Sequence, residues 1–411
     1  MTGEMRMAPL AVTLLLLVFQ TSALAHYRSE SYSSLTVTDD LLAGEFRIPM
    51  REATRFGADI AAGRTTEPVA ADLVTRIVDV ASERGSCSLV SRAPYARGYQ
   101  LVLPVRADCE GARIVEVSFR RLFEIAPTQT HYVTLHGNGG ATRRLALTRG
   151  YPRIGLDTHE PNGSVDQIYG FVTSGMMHVL SGWDHIAFLG VLLLMARQLR
   201  NCVIVATGFT VGHSITLALV AMELVVPNLR LAEVVIGSTI VGSALLAATT
   251  APDASAKEQT IGLYLTLAVL SALAVLCVEF AGAVSPIAFA GVFLVLHSAS
   301  VLQRQPSAEI RVPGMLAVAF GLVHGIGFAS GLRQSFEGMS IGLLEVAAFN
   351  IGVEVGQLSV VLLGLALART VLGLCRGAPH ASFIIGQARY VSALAISGAG
   401  AYWCFSAALV A

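Results

Sequence analysis

Charge is what this sequence has little of. Only 14% of its residues are charged, and Lys257 is the single lysine, whereas soluble domains carry roughly 25% charged residues. The net charge is zero and no stretch is strongly basic, which argues against nucleic acid as a partner. No GxxxxGK[ST] segment is present, so nothing in the sequence predicts ATP hydrolysis.

Apolar residues, in contrast, make up 54% of the chain, and the mean hydropathy is +0.64. From residue 166 onward they come in blocks long enough to cross a bilayer as helices. We count eight blocks, at 168–196, 202–224, 231–250, 260–281, 285–302, 312–332, 342–368 and 385–410. The sequence therefore predicts a polytopic α-helical membrane domain over residues 166–411, with about eight spans in the lipid bilayer.

Residues 1–25 have the pattern of a signal peptide. Arg6 provides a positive start, an apolar core follows, and Ala23-Leu24-Ala25 supplies a small-residue cleavage site. An uncleaved membrane helix is the alternative, but the core is short for a span. Residues 26–160 are then exported. We expect a bacterial inner-membrane protein whose N-terminal domain lies in the periplasm or on the extracellular side.

The exported domain should be β-rich and soluble, because apolar residues alternate with period two in several segments. The clearest are Tyr99–Val105, Ala112–Phe119 and Thr130–Leu135. One helix is expected near Val69–Ser82, where apolar positions recur at three and four. Cys87 and Cys109 flank a hairpin of this domain, and an oxidising compartment permits a disulfide between them.

Arginine and lysine placement predicts the orientation of the spans. Seven of these residues fall in alternate loops, namely Arg197, Arg200, Lys257, Arg304, Arg311, Arg369 and Arg376. Only Arg230 and Arg333 fall in the other loops. An exported N-terminal domain followed by eight spans puts the seven charges in the cytoplasm, so the two signals agree.

The first apolar block carries three ionisable residues in its interior: His178, Asp184 and His185. A charge at membrane depth costs on the order of 2.5–3.5 kcal/mol, so such groups need a metal, a proton path or a buried partner. If the block is one helix, His178 and His185 lie two turns apart on nearly the same face. Asp184 is then either a ligand or the partner that holds a histidine tautomer.

Further polar residues occupy similar depths in other blocks. They are Thr210 and His213 in the second, Glu233 in the third, His324 in the sixth, and Asn350, Glu354 and Gln357 in the seventh. Glycines around them allow close helix approach. Imidazole with carboxylate suits nickel, cobalt, zinc or copper(II), and suits magnesium or calcium poorly. Asn350, Gln357 and Thr210 are expected to support the ligands, and Glu233 is alternatively a solvated interfacial residue.

At these residues the chain resembles the HupE/UreJ family of membrane metal permeases, in the branch with an exported N-terminal domain. The matching pieces are His178-x5-Asp184-His185, FTVGHSITL at 209–217, Glu233, GLVHGIGFA at 321–329 and FNIGVEVGQL at 349–358. The resemblance implies uptake of nickel or cobalt. Better-described members have a glutamate after the histidine that corresponds to His324. Here that glutamate is missing, so either Glu354 replaces it or the site has one acid fewer.

We therefore expect a secondary permease for a divalent metal, nickel first and cobalt next, with no permanently bound cofactor. Zinc and copper suit the same ligands. The alternatives are an intramembrane zinc-dependent hydrolase, and a metal sensor or metalloenzyme assembly factor whose exported domain binds a periplasmic partner. Cleavage after Ala25 would expose His26, which could bind metal or be an accident of cleavage. His131, His136 and His159 could extend a metal-delivery surface.

Overall fold

The computed structural model describes residues 30–49, 72–97, 100–127, 129–137, 142–156, 165–195, 199–226, 228–249, 264–273, 308–335, 342–375 and 381–409. The signal peptide, His26, His159 and the fifth apolar block lie outside these residues. The chain forms two compact units. One contains Arg28–Met177 with Ala347–Gly352, and the other contains the rest of the helical region from His178 onward.

The N-terminal domain is β-rich, as predicted. Its strands are β1 (Glu30–Val37), β2 (Leu41–Pro49), β3 (Asp79–Ser82), β4 (Gly85–Ser86), β5 (Ser88–Ser91), β6 (Tyr95–Arg97), β7 (Gln100–Asp108), β8 (Ile114–Ser118), β9 (Thr130–His136), β10 (Thr142–Leu147) and β11 (Arg153–Gly155). One sheet has the order β10-β9-β1-β2-β7-β5, with β6 also paired to β7, and the other has the order β11-β8-β3-β4. Only β1 and β9 among these neighbours pair in parallel.

One continuous apolar core includes residues from both sheets, among them Phe46 of β2 and Val117 of β8. It also takes in the short helix α1 (Arg120–Ile125) through its buried residues. The expected helix near Val69–Ser82 is mostly wrong. Residues 72–75 are helical, but Asp79–Ser82 is strand β3, whose pairing with β8 overrides the local helical pattern.

The predicted disulfide is confirmed. Cys87 and Cys109 are joined, with 4.7 Å between their Cα atoms. Cys87 immediately precedes β5 and Cys109 immediately follows β7, and these two strands pair antiparallel. The bridge therefore closes the open end of a β-hairpin, where it links two strands that are already neighbours.

The helical region contains α2 (Val165–Ser181), α3 (Trp183–Met195), α4 (Leu199–Ala221), α5 (Leu229–Thr249), α6 (Tyr264–Leu273), α7 (Ala308–Ser335), α8 (Leu343–Cys375) and α9 (Ala381–Leu409). By length and composition, α4, α5, α8 and α9 could each cross a membrane, and the bent pair α2–α3 could be a fifth span. The apolar helices agree with a polytopic membrane protein.

Helix directions also bear on the predicted topology. Helices α4 and α7 run parallel, because Gly208 lies against Gly314 and, two turns later, Thr216 lies against Gly325. Two parallel spans need an odd number of crossings between them, in agreement with the three apolar blocks predicted there. The close backbone approach depends on glycine: a Cβ at Gly321 would collide with the Phe209 carbonyl oxygen.

Helices α5 and α9 run antiparallel. Arg230, near the start of α5, donates to the Ala408 carbonyl oxygen at the end of α9. Arg389, in the first half of α9, donates to the Ala247 carbonyl oxygen at 2.9 Å. Arginines thus satisfy carbonyl groups that the helix ends leave without intrahelical partners. An antiparallel pair needs an even number of crossings between its members, and four blocks are predicted there.

Candidate metal centre

The first apolar block is not one helix, which corrects the sequence prediction. It breaks at Gly182 into α2 and α3, which are bent by 69° relative to each other. A Cβ at Gly182 would lie 2.7 Å from His185 Nδ1 and 3.0 Å from Asp184 Oδ1. Glycine is required for this space rather than for an unusual backbone, because its φ is not positive. The break folds Asp184 and His185 back towards His178.

Five predicted residues meet beside this break, and we call them the imidazole cluster: His178, Asp184, His185, His213 and His324. The ring centroids of His178 and His185 are 4.5 Å apart, and those of His178 and His213 are 5.8 Å apart. His185 and His324 are separated by 5.3 Å. Three segments therefore contribute, namely the α2–α3 break, α4 and α7, and the glycine contacts between α4 and α7 set the last two side by side.

Asp184 links two of the rings. Its Oδ1 lies 3.1 Å from His185 Nδ1, and its Oδ2 lies 3.7 Å from His324 Nε2. The bond to Asp184 directs His185 Nε2 into the interior, where this atom is buried without a hydrogen-bond partner among the described residues. A carboxylate on one imidazole nitrogen commonly orients the other nitrogen towards a metal.

The tautomer of His324 is set by its backbone. His324 Nδ1 lies 2.9 Å from the Phe320 carbonyl oxygen, which can only accept, so Nδ1 carries the proton. In the neutral ring, Nε2 then presents a lone pair towards Asp184 Oδ2. Two lone-pair atoms 3.7 Å apart are favourable only with a proton or a cation between them. This pair is therefore suited to a positively charged occupant.

The imidazole cluster is buried. All five side chains are at most 6% exposed, and His213 is fully buried. Phe209 lies beside His324 with ring centroids 5.0 Å apart, and Phe328 lies beside His178 at 4.3 Å. Apolar walls lower the local dielectric and strengthen the attraction between these donors and a cation. A cation bound here would exchange its water shell for protein atoms.

Sequence reasoning missed the two phenylalanines, although their spacing contains the signal. Phe209 is four residues before His213, and Phe328 is four residues after His324. Residues four apart share a helix face. Because the histidines were assigned to the interior, the same periodicity would have placed Phe209 and Phe328 one helical turn away from them on the interior face.

Glu354, the predicted acidic ligand of α8, has different partners. Thr207 Oγ1 donates to its Oε1 at 2.6 Å, and Thr210 Oγ1 donates to its Oε2 at 2.5 Å. Gln357 Oε1 lies 3.3 Å from the same Thr210 hydroxyl. Among the described residues, the hydrogen bonds of Glu354 thus go to threonines of α4 rather than to an imidazole. Thr207 was not identified from the sequence, although it lies one turn before Thr210.

The remaining predicted polar residues are buried. Asn350 and Gln357 are buried on α8, one turn before and one turn after Glu354. Glu233 of α5 is only 9% exposed, so it is not a freely solvated interfacial residue. Its neighbour Ala232 packs against Gly327, where a Cβ would lie 3.8 Å from that of Ala232. Glu233 therefore lies close to the turn of α7 that follows His324.

The prediction that His131 belongs to a metal-delivery surface of the N-terminal domain is wrong. This side chain is fully buried, and its two ring nitrogens lie 2.7 Å from Ser31 Oγ and 3.0 Å from Ser33 Oγ. Burial lowers the pKa of His131 to about 3, and a hydrogen bond with the Ser31 backbone only partly opposes that shift. An enclosed imidazole whose two nitrogens both lie within hydrogen-bond distance of serine hydroxyls cannot collect metal from solution. His136 is partly buried and bonded to Thr142.

The residue types of the imidazole cluster suit a cation, but their positions do not yet form a coordination sphere. Within the described residues, no three His, Cys, Asp or Glu side chains already surround one point as metal ligands. The donors are nevertheless neighbours, and ring centroids 4.5 to 5.8 Å apart leave short side-chain rotations between this arrangement and coordination. Imidazole nitrogens and a carboxylate suit a borderline divalent metal.

Comparison with known proteins identifies a family to which the helical region is similar. The family model described as HupE / UreJ protein matches residues 157–259 and 257–407, which is more than half of the chain. No curated protein matches the chain.

Proposed function

This chain belongs to the HupE/UreJ family, and we propose that it is a secondary permease that carries Ni²⁺ across the inner membrane, with Co²⁺ as the next candidate. The family is generally related to nickel and cobalt transport and points to a transporter rather than an enzyme. The observation that carries the proposal is His185, whose Nδ1 is held by Asp184 while Nε2 is buried without a partner among the described residues.

The imidazole cluster would bind the ion after its water shell has been removed. Four imidazoles and Asp184 replace lost water ligands, and the aromatic walls exclude further water. Glu233, on the turn of α7 after His324, would attract the cation from the outer side. The single negative charge of Asp184 would partly balance the divalent ion.

The energy for uptake would come from the membrane potential. A divalent cation that crosses inward gains about 4.6 kcal/mol per 100 mV, twice the single-charge value. This energy source agrees with a sequence that has no GxxxxGK[ST] segment for ATP hydrolysis. The orientation follows from the arginine distribution, which places the start of α4 in the cytoplasm and the exported domain outside. The exported domain would dock a periplasmic partner.

Uptake of radioactive nickel, cobalt and zinc by cells expressing the full chain tests this proposal. His178→Ala should lower uptake by about 10–100-fold at matched membrane levels, as loss of a metal-site residue commonly does. His136→Ala, an equivalent truncation in the exported domain, is the control and should transport normally.

Absence of uptake of any metal by the unaltered chain would contradict the permease. If the purified protein then retained one tightly held zinc that does not exchange, the hydrolase would be the better interpretation. If the chain transports no metal, but an enzyme loses its metal in cells that lack the chain, the assembly factor would be the better interpretation.

A further inference from the structure

A second polar site lies beside the imidazole cluster and differs from it in chemistry. We call it the oxygen cluster: Thr207 and Thr210 of α4, and Glu354 and Gln357 of α8. Its polar contacts join two hydroxyl oxygens, two carboxylate oxygens and one amide oxygen, with distances of 2.5 to 3.3 Å. Two helices thus contribute hard oxygen atoms to one hydrogen-bonded cluster, whereas the imidazole cluster offers mainly nitrogen.

The position of the oxygen cluster follows from α4. Thr210 and Thr207 are three and six residues before His213 on this helix, which corresponds to about 4.5 and 9 Å along the axis. They lie towards the end at which α4 begins, the cytoplasmic end by the arginine distribution. Glu233 lies on the opposite side, near the turn of α7 that follows His324. The order across the membrane is Glu233, imidazole cluster, oxygen cluster.

The oxygen cluster is also more open than the imidazole cluster. Among the described residues Glu354 is half-buried and Thr207 is exposed, while every member of the imidazole cluster is buried. A carboxylate that the protein only partly encloses leaves space for a cation beside it. A partly exposed carboxylate within a transmembrane segment carries a free-energy cost, which a bound cation would offset.

We propose that the oxygen cluster is a release station, a second cation site that accepts the divalent ion from the imidazole cluster and passes it to the cytoplasm. This inference rests on the proposed function. Borderline divalent metals prefer imidazole, whereas carboxylate, carbonyl and water suit harder ions. An oxygen site therefore holds Ni²⁺ or Co²⁺ more weakly than the imidazole cluster does.

Conduction requires a cation path to bind tightly enough to admit the ion and weakly enough, or at several sites, to release it. The two clusters divide these tasks. The threonine hydroxyls can rotate, since each carries lone pairs besides its proton. Thr207 and Thr210 can therefore donate to Glu354 when the station is empty and turn their lone pairs towards the ion when it arrives.

Two measurements on the purified full-length chain separate binding from release. The visible absorption of Co²⁺ reports binding at the nitrogen-rich site, and radioactive Co²⁺ uptake into liposomes containing the protein reports transport. Glu354→Gln and the near-isosteric Thr210→Val alter the oxygen cluster. Ser359→Ala, on the same helix with its hydroxyl bonded to Val355 O, is the matched control.

The release station predicts that Glu354→Gln retains the Co²⁺ absorption of the unaltered chain while its initial uptake rate falls by about tenfold or more. Thr210→Val should change uptake in the same direction, and Ser359→Ala should change neither quantity. Normal uptake by Glu354→Gln would overturn the station. Loss of the Co²⁺ absorption in Glu354→Gln, as in His178→Ala, would also overturn it, because Glu354 would then belong to the first site.

Failure of the proposed function gives a different pattern. An unaltered chain that neither binds nor transports Co²⁺ or Ni²⁺ would remove the permease and the release station together. The station alone fails when the unaltered chain transports and His178→Ala does not, but Glu354→Gln transports normally.

Discussion

The chain buries histidine in two ways, and the two environments differ in what surrounds the rings. His131 of the N-terminal domain lies between Phe46 and Phe119, with ring centroids at 5.0 and 4.3 Å, and serine hydroxyls lie within hydrogen-bond distance of both of its nitrogens. The imidazole cluster also has aromatic walls, but there the rings face each other and a carboxylate. Burial and aromatic contact are common to both places, so neither marks a functional site.

The difference lies in the hydrogen-bond partners. A serine hydroxyl can donate to one ring nitrogen and accept from the other, so it satisfies a neutral imidazole in its dry core. Imidazoles that face each other and Asp184 concentrate lone pairs at one place, which a cation or protons would stabilise. We therefore propose that His131 stabilises the fold and that the imidazole cluster binds the metal ion. Three changes test that division.

The largest effect is expected for Gly182→Ala. The new methyl group would lie 2.7 Å from His185 Nδ1 and 2.9 Å from the His178 carbonyl oxygen, so the break or the two side chains must shift. Metal uptake should fall by about 100-fold, the upper end for a displaced metal site. The measurement is initial nickel uptake at matched membrane levels.

Gly190→Ala is the control for that variant, because on α3 its methyl group would meet only the flexible end of Ile396 at 3.3 Å. It should transport normally. Equal uptake by Gly182→Ala and Gly190→Ala would show that the bend does not position the cluster.

The second largest effect is expected on the free energy of unfolding of the N-terminal domain at acid pH. The folded pKa of His131, about 3, is below its usual value of 6.5. Between these values the unfolded chain binds a proton that the folded domain does not, so stability is lost as pH falls below 6.5. The contribution is about 1.4 kcal/mol per pH unit.

Hydrogen exchange of β1 and β9 in the full-length protein, normalised to the intrinsic rate at each pH, measures this slope. His131→Asn cannot titrate in this range and should flatten it, although it costs stability at neutral pH. An unchanged slope in His131→Asn would assign the acid sensitivity to other groups and weaken the contrast with the imidazole cluster.

The smallest effect is expected for Ser33→Ala. It removes the hydroxyl 3.0 Å from His131 Nε2, and a buried polar atom left without its partner costs about 1–3 kcal/mol. The free energy of unfolding of the N-terminal domain should fall by about 1–3 kcal/mol, as measured by hydrogen exchange of β1 and β9, while metal uptake stays unchanged. Ser82→Ala, which removes an exposed bond to the Gly85 carbonyl oxygen, should alter neither property. Reduced metal uptake by Ser33→Ala at normal protein levels would contradict the claim that His131 and its serine partners affect only stability.

The sequence predicts the residue types of the site better than their arrangement. Period-two segments, paired cysteines and long apolar blocks predict the architecture because each is a local pattern. His178, Asp184, His185, His213 and His324 could be identified because ionisable residues are costly at membrane depth. Which of them meet depends on long-range helix pairing, and a single sequence does not encode that pairing in a local period.

Two features could have been inferred and were not. Ser181-Gly182-Trp183-Asp184 has the signature of one helix ending and another beginning, with glycine at the end and an acid in the next first turn. The apolar length of the block concealed it. His131 lies in β9, where six of the seven residues are buried, so an alternation of apolar and polar residues could not show that its ring points into the core.

The most direct test of the central claim is X-ray absorption at the nickel edge, on the purified full-length chain loaded with one equivalent of Ni²⁺. Coordination in the imidazole cluster predicts scattering from several imidazole rings, reduced in His178→Ala and in His213→Ala but retained in His136→Ala. A spectrum of oxygen ligands alone, or one that neither cluster variant alters, would contradict a nickel site built from these histidines.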